Sequence, residues 1–299
     1  MKAWVNKTLI DFHDVLVHPL SHSFSRASAI FEVMEIVPTE RGPAFFCLQE
    51  HLQRFFDSAR ATFMELPITP DELEQALSLT AKINRVHRGI AKIFAYYPDI
   101  GLGTLPSSKR IDVAVFCLGY EAMGIKPEDL GQPVTAAIST FRKIDPQTTA
   151  VHAKVVGNYV NGFLAKSEVR ASGYDEAILL DTHGFIAEGP NANIFFVRGA
   201  CIETPTTESV LPGITRSILI QVLSDMDYAV HESHILPDDL ASFDEAFFSG
   251  TLNHVQPISS LTGRALVCPG AVTVAVRERM RDVLGGREPR YEKHLRLIS

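Results

Sequence analysis

The apolar positions recur in two rhythms along the chain. Trp4-Val-Asn-Lys-Thr-Leu-Ile10 sets short apolar runs around Asn6-Lys7, which predicts a hairpin turning at that pair. Phe31-Glu-Val-Met-Glu-Ile-Val37 alternates with period two, as a strand does. Pro38 to Gly42 predict a turn, and Pro43 to Leu48 a returning strand. The rhythm then changes: Leu48, Leu52, Phe55, Phe56, Ala59 and Phe63 recur at helical spacing, predicting an amphipathic helix over 49–65. Pro70-Asp-Glu starts a second helix, with acids in its first turn, that runs to about Arg88. Ile90–Tyr97 and Ile111–Leu118 read as strands, joined by a loop from Pro98 to Ser108.

Gly119 to Gly131 is polar and punctuated by glycine, and reads as a linker. It divides the chain into a smaller N-terminal domain (1–118), the linker itself (119–131) and a larger C-terminal domain (132–299). In the second half, strands are predicted at 134–139, 176–181, 193–198, 228–232 and 245–249, and helices at 155–172, 214–226 and 270–284. Helices and strands mixed in two blocks predict an α/β (α+β) fold of two domains. A cleft between two such domains is the default place for a ligand. The charged tail from Arg287 onward reads as a solvated extension or an oligomer contact.

Composition narrows the function classes. The 299 residues are 46% hydrophobic and 21% charged, with a net charge of −7, which argues against a binder of nucleic acid or anionic lipid, since either needs a basic face. The start of the chain lacks the apolar core of a targeting segment, and no stretch is long and apolar enough to span a bilayer. Cys47, Cys117, Cys201 and Cys268 lie far apart with no metal-type spacing. Cys47 and Cys117 sit in apolar runs and read as buried reduced thiols of a cytoplasmic protein.

Five segments carry candidate chemistry. In His152-Ala-Lys154-Val-Val-Gly157-Asn158-Tyr159, a lysine enters a predicted helix of small and apolar residues. Such lysines are ordinarily solvated; one aimed into a cleft can form an imine if burial or a nearby cation strips its proton. In Asp181 to Phe196, strands flank a glycine-containing turn that holds Glu188, a suitable mount for a carboxylate facing a protonated pyridine nitrogen. Leu211-Pro-Gly213-Ile214-Thr215-Arg216 leads a loop into a helix, where free N–H groups and a hydroxyl can take a phosphate, or where Thr215 is simply a cap. Ser249-Gly250-Thr251-Leu252 ends a strand in small polar residues. Arg54 projects from its helix near the buried face, where its fork can grip a phosphate.

Together, from about Trp4 to Leu284, these segments resemble the class IV aminotransferases, the fold-type IV pyridoxal-phosphate enzymes, and among them the branched-chain amino acid aminotransferases. The resemblance implies a D-amino acid aminotransferase-like two-domain fold, pyridoxal 5'-phosphate as cofactor, and an active site between the domains that a loop of a second subunit closes in a homodimer or an assembly of dimers. It implies that Lys154 forms the imine with the cofactor aldehyde and shuttles a proton between the substrate Cα and the cofactor. It gives Tyr159 the phenolic oxygen, Glu188 the pyridinium with Asn193 in the same segment, and Arg54, Gly213, Ile214, Thr215, Gly250 and Thr251 the phosphate. Phe31, Lys92, Arg26 and Leu252 fall on the substrate side.

That side departs from the branched-chain pattern. Ile90 and Lys92 stand where a tyrosine and an arginine are expected, Arg26 stands where an aromatic wall is expected, and Tyr120 is displaced from the usual aromatic of the interdomain loop. Lysine keeps the charge but loses the bidentate fork. Arg26 meets either a second carboxylate or a surface partner. The first expectation is therefore a branched-chain L-amino acid transaminase with a 2-oxo acid such as 2-oxoglutarate as acceptor. A D-amino acid or (R)-amine transaminase and an aminodeoxychorismate lyase-like enzyme are the alternatives, and a non-catalytic binding protein is the reading from another class. The spacing of His231-Glu-Ser-His234 is a weak metal signal, and Gly101-Leu-Gly103 lacks the third glycine of a dinucleotide loop.

Overall fold

A computed structural model describes residues 1–298. The chain groups into two compact units. Met1–Lys126, Ala153–Gly157 and the residues from Val283 onward form the first, and Pro127–His152 with Asn158–Asp282 form the second.

The first unit is built on a seven-stranded antiparallel sheet. Its hairpin strands β1 (Lys2–Val5) and β2 (Thr8–Asp11) turn on Asn6 and Lys7, both at positive φ (47° and 72°), as a two-residue hairpin loop requires. With β3 (Ile30–Thr39), β4 (Gly42–Phe46), β5 (Gly89–Tyr96), β6 (Asp112–Gly119) and β16 (Leu295–Leu297), the order is β16-β4-β3-β5-β6-β1-β2. Helices α2 (Leu48–Ala61) and α3 (Pro70–Ile83) supply Leu48, Leu52, Phe55, Leu73 and Leu77 to a core with Ile30, Met34, Ile36, Ala91, Ile93 and Val115. Burying each large aliphatic or aromatic side chain contributes about 1.5–3 kcal/mol. The alternate residues Phe31, Lys92, Phe94 and Phe116 occupy the opposite face.

Several boundaries differ from the sequence reading. Helix α2 stops at Ala61 because Phe63 takes a positive φ (58°) and stands 91% exposed, despite its helical spacing. Helix α3 opens with a capping box between Thr69 and Glu72 and ends before Arg85, which also takes a positive φ (53°). The short α1 (His22–Arg26), capped by Ser21, has too few residues to display a period. The C-terminal tail is not a solvated extension: β16 pairs with β4, and Tyr291 and His294 are buried.

The second unit holds a mixed sheet. Its strands are β7 (Val134–Arg142), β8 (Glu176–Leu180), β9 (Ile186–Glu188), β10 (Asn193–Arg198), β11 (Cys201–Pro205), β12 (Ala229–Ser233), β13 (Glu245–Ser249), β14 (Gln256–Leu261) and β15 (Arg264–Ala265). The order is β12-β11-β10-β13-β14-β7-β8-β9, with β15 on β14. The predicted strands appear; β11, β14 and β15 are additions to them, and Pro205 and Pro257 obscure two of these in the sequence. Ile178, Ile194, Phe196, Phe243, Phe248 and Ile258 form a core of this sheet. Helix α4 (Tyr159–Ala171) packs Ala165 and Val169 on Ala177 and Leu179, while α5 (Ile214–Asp225) and α6 (Ala271–Leu284) run close to their predicted bounds. Among the described residues no helix is long and apolar enough to cross a membrane.

Candidate functional site

Lys154 stands just ahead of a helix rather than inside it: a 3-10 turn over Val156–Asn158 follows and runs straight into α4 at Tyr159. The lysine is the middle residue of a tight turn, in which the Val155 N–H donates to the Ala153 carbonyl at 2.9 Å, and this turn is held against β3. Ile30 and Val155 form an antiparallel bridge, the Phe31 N–H donates to the Lys154 carbonyl at 3.0 Å, and the Val156 N–H donates to the Ala29 carbonyl at 2.8 Å. The Lys154 N–H donates to Ser58 Oγ at 2.9 Å, and that hydroxyl donates to the Arg54 carbonyl on α2 at 2.8 Å. The ammonium of Lys154 stands 5.0 Å from the centre of the Phe31 ring. Lys92 Nζ lies 5.2 Å from the same ring and 4.7 Å from Phe94, so one aromatic ring meets two lysines. Burial lowers the proton affinity of Lys92 below that of an ordinary lysine.

Beneath this stretch, Arg54 is engaged by a buried carboxylate. Its Nε and Nη2 donate to Glu32 at 2.8 and 2.7 Å, and His51 Nδ1 lies 3.1 Å from the same carboxylate. Burial alone would raise the Glu32 carboxyl, but the charges of Arg54 and then His51 outweigh it and hold Glu32 well below the usual carboxylate range. Burial pushes the His51 imidazole down, and the opposing pull of Glu32 does not restore it. Arg26 is exposed at the end of α1, and its guanidinium donates to the carbonyls of Ser25 and Leu102 at 3.2 and 3.0 Å. Tyr120 is buried and hydrogen-bonded to Glu35 at 2.5 Å, so its hydroxyl serves the interior of the first unit.

In the second unit, Glu188 is the last residue of β9 and is buried, rather than sitting in an exposed turn. Lys143 Nζ contacts its Oε1 at 2.5 Å, and Asn193 Nδ2 donates to its Oε2 at 3.1 Å. Asn193 also donates to the Leu211 carbonyl at 3.2 Å, and its Oδ1 fills the space beside Gly213, where any Cβ would come within 2.0 Å. Gly213 is thus glycine because of close approach. It is also the N-cap of α5, and no side chain caps that helix, so Thr215 is not the cap. Across the ladder Asn193 pairs with Ser249, whose buried Oγ has no hydrogen-bond partner among the described residues. Gly250, Thr251 and Leu252 follow in a turn closed by the His254 N–H on the Gly250 carbonyl at 2.8 Å. Tyr159 opens α4 and is half-buried.

This unit therefore offers an uncapped helix N-terminus, a strand-end hydroxyl at Ser249 with Thr251 in the turn that follows, and a buried carboxylate. The first two suit an anion such as phosphate, and the third suits a protonated ring nitrogen. Two members escaped the sequence reading. Glu32 sits in phase with Ile30, Met34 and Ile36 on an apolar face, a signal that a charge must be paired there. Lys143 carried no such signal. Among the described residues, the one group of three ligand-type side chains converging within 4.8 Å is Cys47, Glu50 and His294, in which His294 Nδ1 and Glu50 are already hydrogen-bonded at 2.6 Å; His231 and His234 are not part of it.

Comparison with known proteins gives consistent matches. Residues 29–261 fit the family described as Amino-transferase class IV. The branched-chain-amino-acid aminotransferase of Pseudomonas aeruginosa is 30% identical over 299 residues, covering 99% of this chain and 97% of its own. The crystal structure of a branched-chain aminotransferase from Thermoproteus uzoniensis with norvaline superposes with a TM-score of 0.94 at 30% identity, covering 100% of this chain and 99% of that one. The branched-chain amino acid aminotransferase of Thermobaculum terrenum, in its PLP-form, gives 0.90 at 25% identity, covering 100% and 98%.

Proposed function

The chain belongs to the class IV aminotransferases, and from that premise we propose how its own residues carry out amino transfer. It moves an amino group between an amino acid, branched-chain L-amino acids first, and a 2-oxo acid such as 2-oxoglutarate, with pyridoxal 5'-phosphate as cofactor. The residues present fit that cofactor: Ser249 Oγ is a buried donor with no partner among the described residues, and α5 has no side-chain cap. When bound, the cofactor supplies an electron sink for negative charge at the substrate Cα.

Lys154 provides the amine that holds the cofactor aldehyde. The same amine, when free, would move the proton at the substrate Cα. Tyr159 hydrogen-bonds the phenolic oxygen. Glu188, steadied by Asn193, holds the ring nitrogen. Arg54, the Ile214 and Thr215 N–H groups and Thr251 would take the phosphate, with Gly213 leading into α5 and Gly250 into the turn that carries Thr251. Phe31, Lys92 and Leu252 serve the substrate side, with Lys92 the cation for a carboxylate. Arg26 acts there through the 98–108 loop, whose Leu102 carbonyl it holds.

The observation that carries this reading is the backbone of Lys154, fixed to β3 and to Ser58 of α2, with its ammonium on the Phe31 ring. Borohydride reduction of the holoenzyme followed by peptide mapping tests it: the label is expected on Lys154, and a label elsewhere overturns the assignment. Conversion to the pyridoxamine form by L-leucine but not D-alanine is expected; the opposite result overturns the L-donor reading.

The working form is at least a homodimer. Supporting this, Leu16, Phe24, Leu102 and Leu105 of the first unit are 68–82% exposed, an apolar set that a second copy would cover. A monomeric mass by light scattering at micromolar concentration overturns it. The buried free thiols Cys47 and Cys117 support a cytoplasmic setting.

A further inference from the structure

Lys143 belongs to no motif, yet it makes the closest charged contact in the second unit's site. Its backbone N–H donates to the Leu180 carbonyl at 2.7 Å just after β7, which fixes the base of its side chain beside β8. Its ammonium reaches Glu188 Oε1 at 2.5 Å, with side-chain exposures of only 14% and 7%. The other carboxylate oxygen is held by Asn193 at 3.1 Å. Glu188 is therefore pinned at both oxygens, by a cation on one and an amide on the other. On its far side, Lys143 lines a cavity of about 180 Å³ with Asp145, Asp181 and Glu208.

We propose that Lys143 is a positioning residue for the cofactor's ring nitrogen, acting through Glu188. This rests on the reading of Glu188 as the pyridinium partner. An ionised carboxylate offers about four lone-pair positions, so the contacts to Lys143 and Asn193 leave acceptor positions for a ring N–H. A buried carboxylate with one anchor can rotate, whereas two anchors set its plane. The charges also run in sequence: ammonium, carboxylate, ring nitrogen. A ring nitrogen on the carboxylate's remaining positions would lie farther from the ammonium than the carboxylate does, at 2.5 Å. The field of the ammonium therefore favours a negative carboxylate beside a protonated ring over a neutral acid beside a neutral ring, and at low dielectric such a preference is not screened away. Lys143 thus decides on which side of the contact the shared proton rests, and so how strongly the ring withdraws electrons from the substrate.

The test compares Lys143→Met, Lys143→Arg and Glu188→Gln with wild type. Apo-protein is titrated with pyridoxal 5'-phosphate labelled with nitrogen-15 in the ring, and both the dissociation constant and the ring nitrogen chemical shift are recorded. In Lys143→Met the shift is expected to move toward that of neutral pyridine, with affinity weakened about tenfold, the equivalent of about 1.4 kcal/mol. Lys143→Arg is expected to keep the wild-type shift, and circular dichroism checks that each variant is folded. A wild-type shift in Lys143→Met alongside a displaced one in Glu188→Gln overturns the role of Lys143 and leaves Glu188 standing. A wild-type shift in Glu188→Gln overturns the assignment of Glu188, and this proposal with it.

Discussion

Replacing Glu32 by glutamine removes a negative charge from a place that water does not reach. The Glu32 side chain is 0% exposed, and those of its partners Arg54 and His51 are 11% and 3% exposed. The variant forfeits the two charge-assisted contacts from Arg54 at 2.8 and 2.7 Å and the 3.1 Å contact to His51. Removing one partner of a buried pair costs about 3–5 kcal/mol, because the other charge stays desolvated. At roughly 2–4 °C per kcal/mol for a unit of this size, the melting temperature of the apo-protein falls by about 6–20 °C. A second arm separates charge from packing. Glu32→Leu combined with Arg54→Met removes both charges, and such exchanges are often close to neutral. The double variant is expected to recover most of the stability while binding the cofactor poorly, since the phosphate contact proposed for Arg54 is removed. Differential scanning fluorimetry and a cofactor titration read the two effects. A loss below about 1 kcal/mol in Glu32→Gln, the range of an exposed ion pair, would refute the argument that this cluster is dry.

Three further outcomes are expected. On acidification the first unit loses stability in two stages. Burial holds His51 below its ordinary 6.5, so its contribution is full above that value and fades as pH falls beneath it. Glu32, held below its ordinary 4.5, contributes above that value and fades as pH falls further. Urea midpoints from pH 8 to 3 check both stages, and His51→Gln should erase the upper one. Gly213→Ala drives a Cβ to within 2.0 Å of Asn193 Oδ1, so cofactor affinity should drop at least about tenfold; an unchanged titration curve would show that the helix start yields. Lys154→Ala should lower kcat by at least about 10²-fold, the low end for removing a general acid–base group, and should abolish borohydride trapping; retained trapping would place the amine elsewhere.

Much of the fold is legible because its signals are local. The Asn6-Lys7 hairpin, the Thr69–Glu72 cap and the alternation of β3 each sit within a few residues of their cause. β16 is not legible: three residues after a charged tail become a strand only because β4 has an open edge some 250 positions earlier. The same distinction holds in the candidate site. Lys154, Glu188 and Gly213 stand in segments whose spacing carries the resemblance. Lys143 gains its meaning from Glu188, 45 positions on, and no pattern around Lys143 encodes that meeting. Thr215 illustrates the opposite error, since its local cap propensity suggests a role that the loop geometry gives to Gly213. The small and apolar neighbours of Lys154 predict a helix, and one does begin at Val156, its start set by the bridge between Val155 and Ile30.

That bridge has a consequence for insertions and deletions. A side chain at the middle of a three-residue turn is aimed by the bond that closes the turn and by the contacts that hold the turn to its neighbours. If this segment slipped by one residue against β3, Ala153 or Val155 would take the place of Lys154 at its contacts with Phe31 and Ser58, and the amine would leave the Phe31 ring. A single added or lost residue on the way into this segment would therefore switch the chemistry off rather than weaken it, unless the preceding loop absorbed the change. Length variation among functional relatives should accordingly collect in stretches such as 98–108 and avoid the few positions on either side of the lysine.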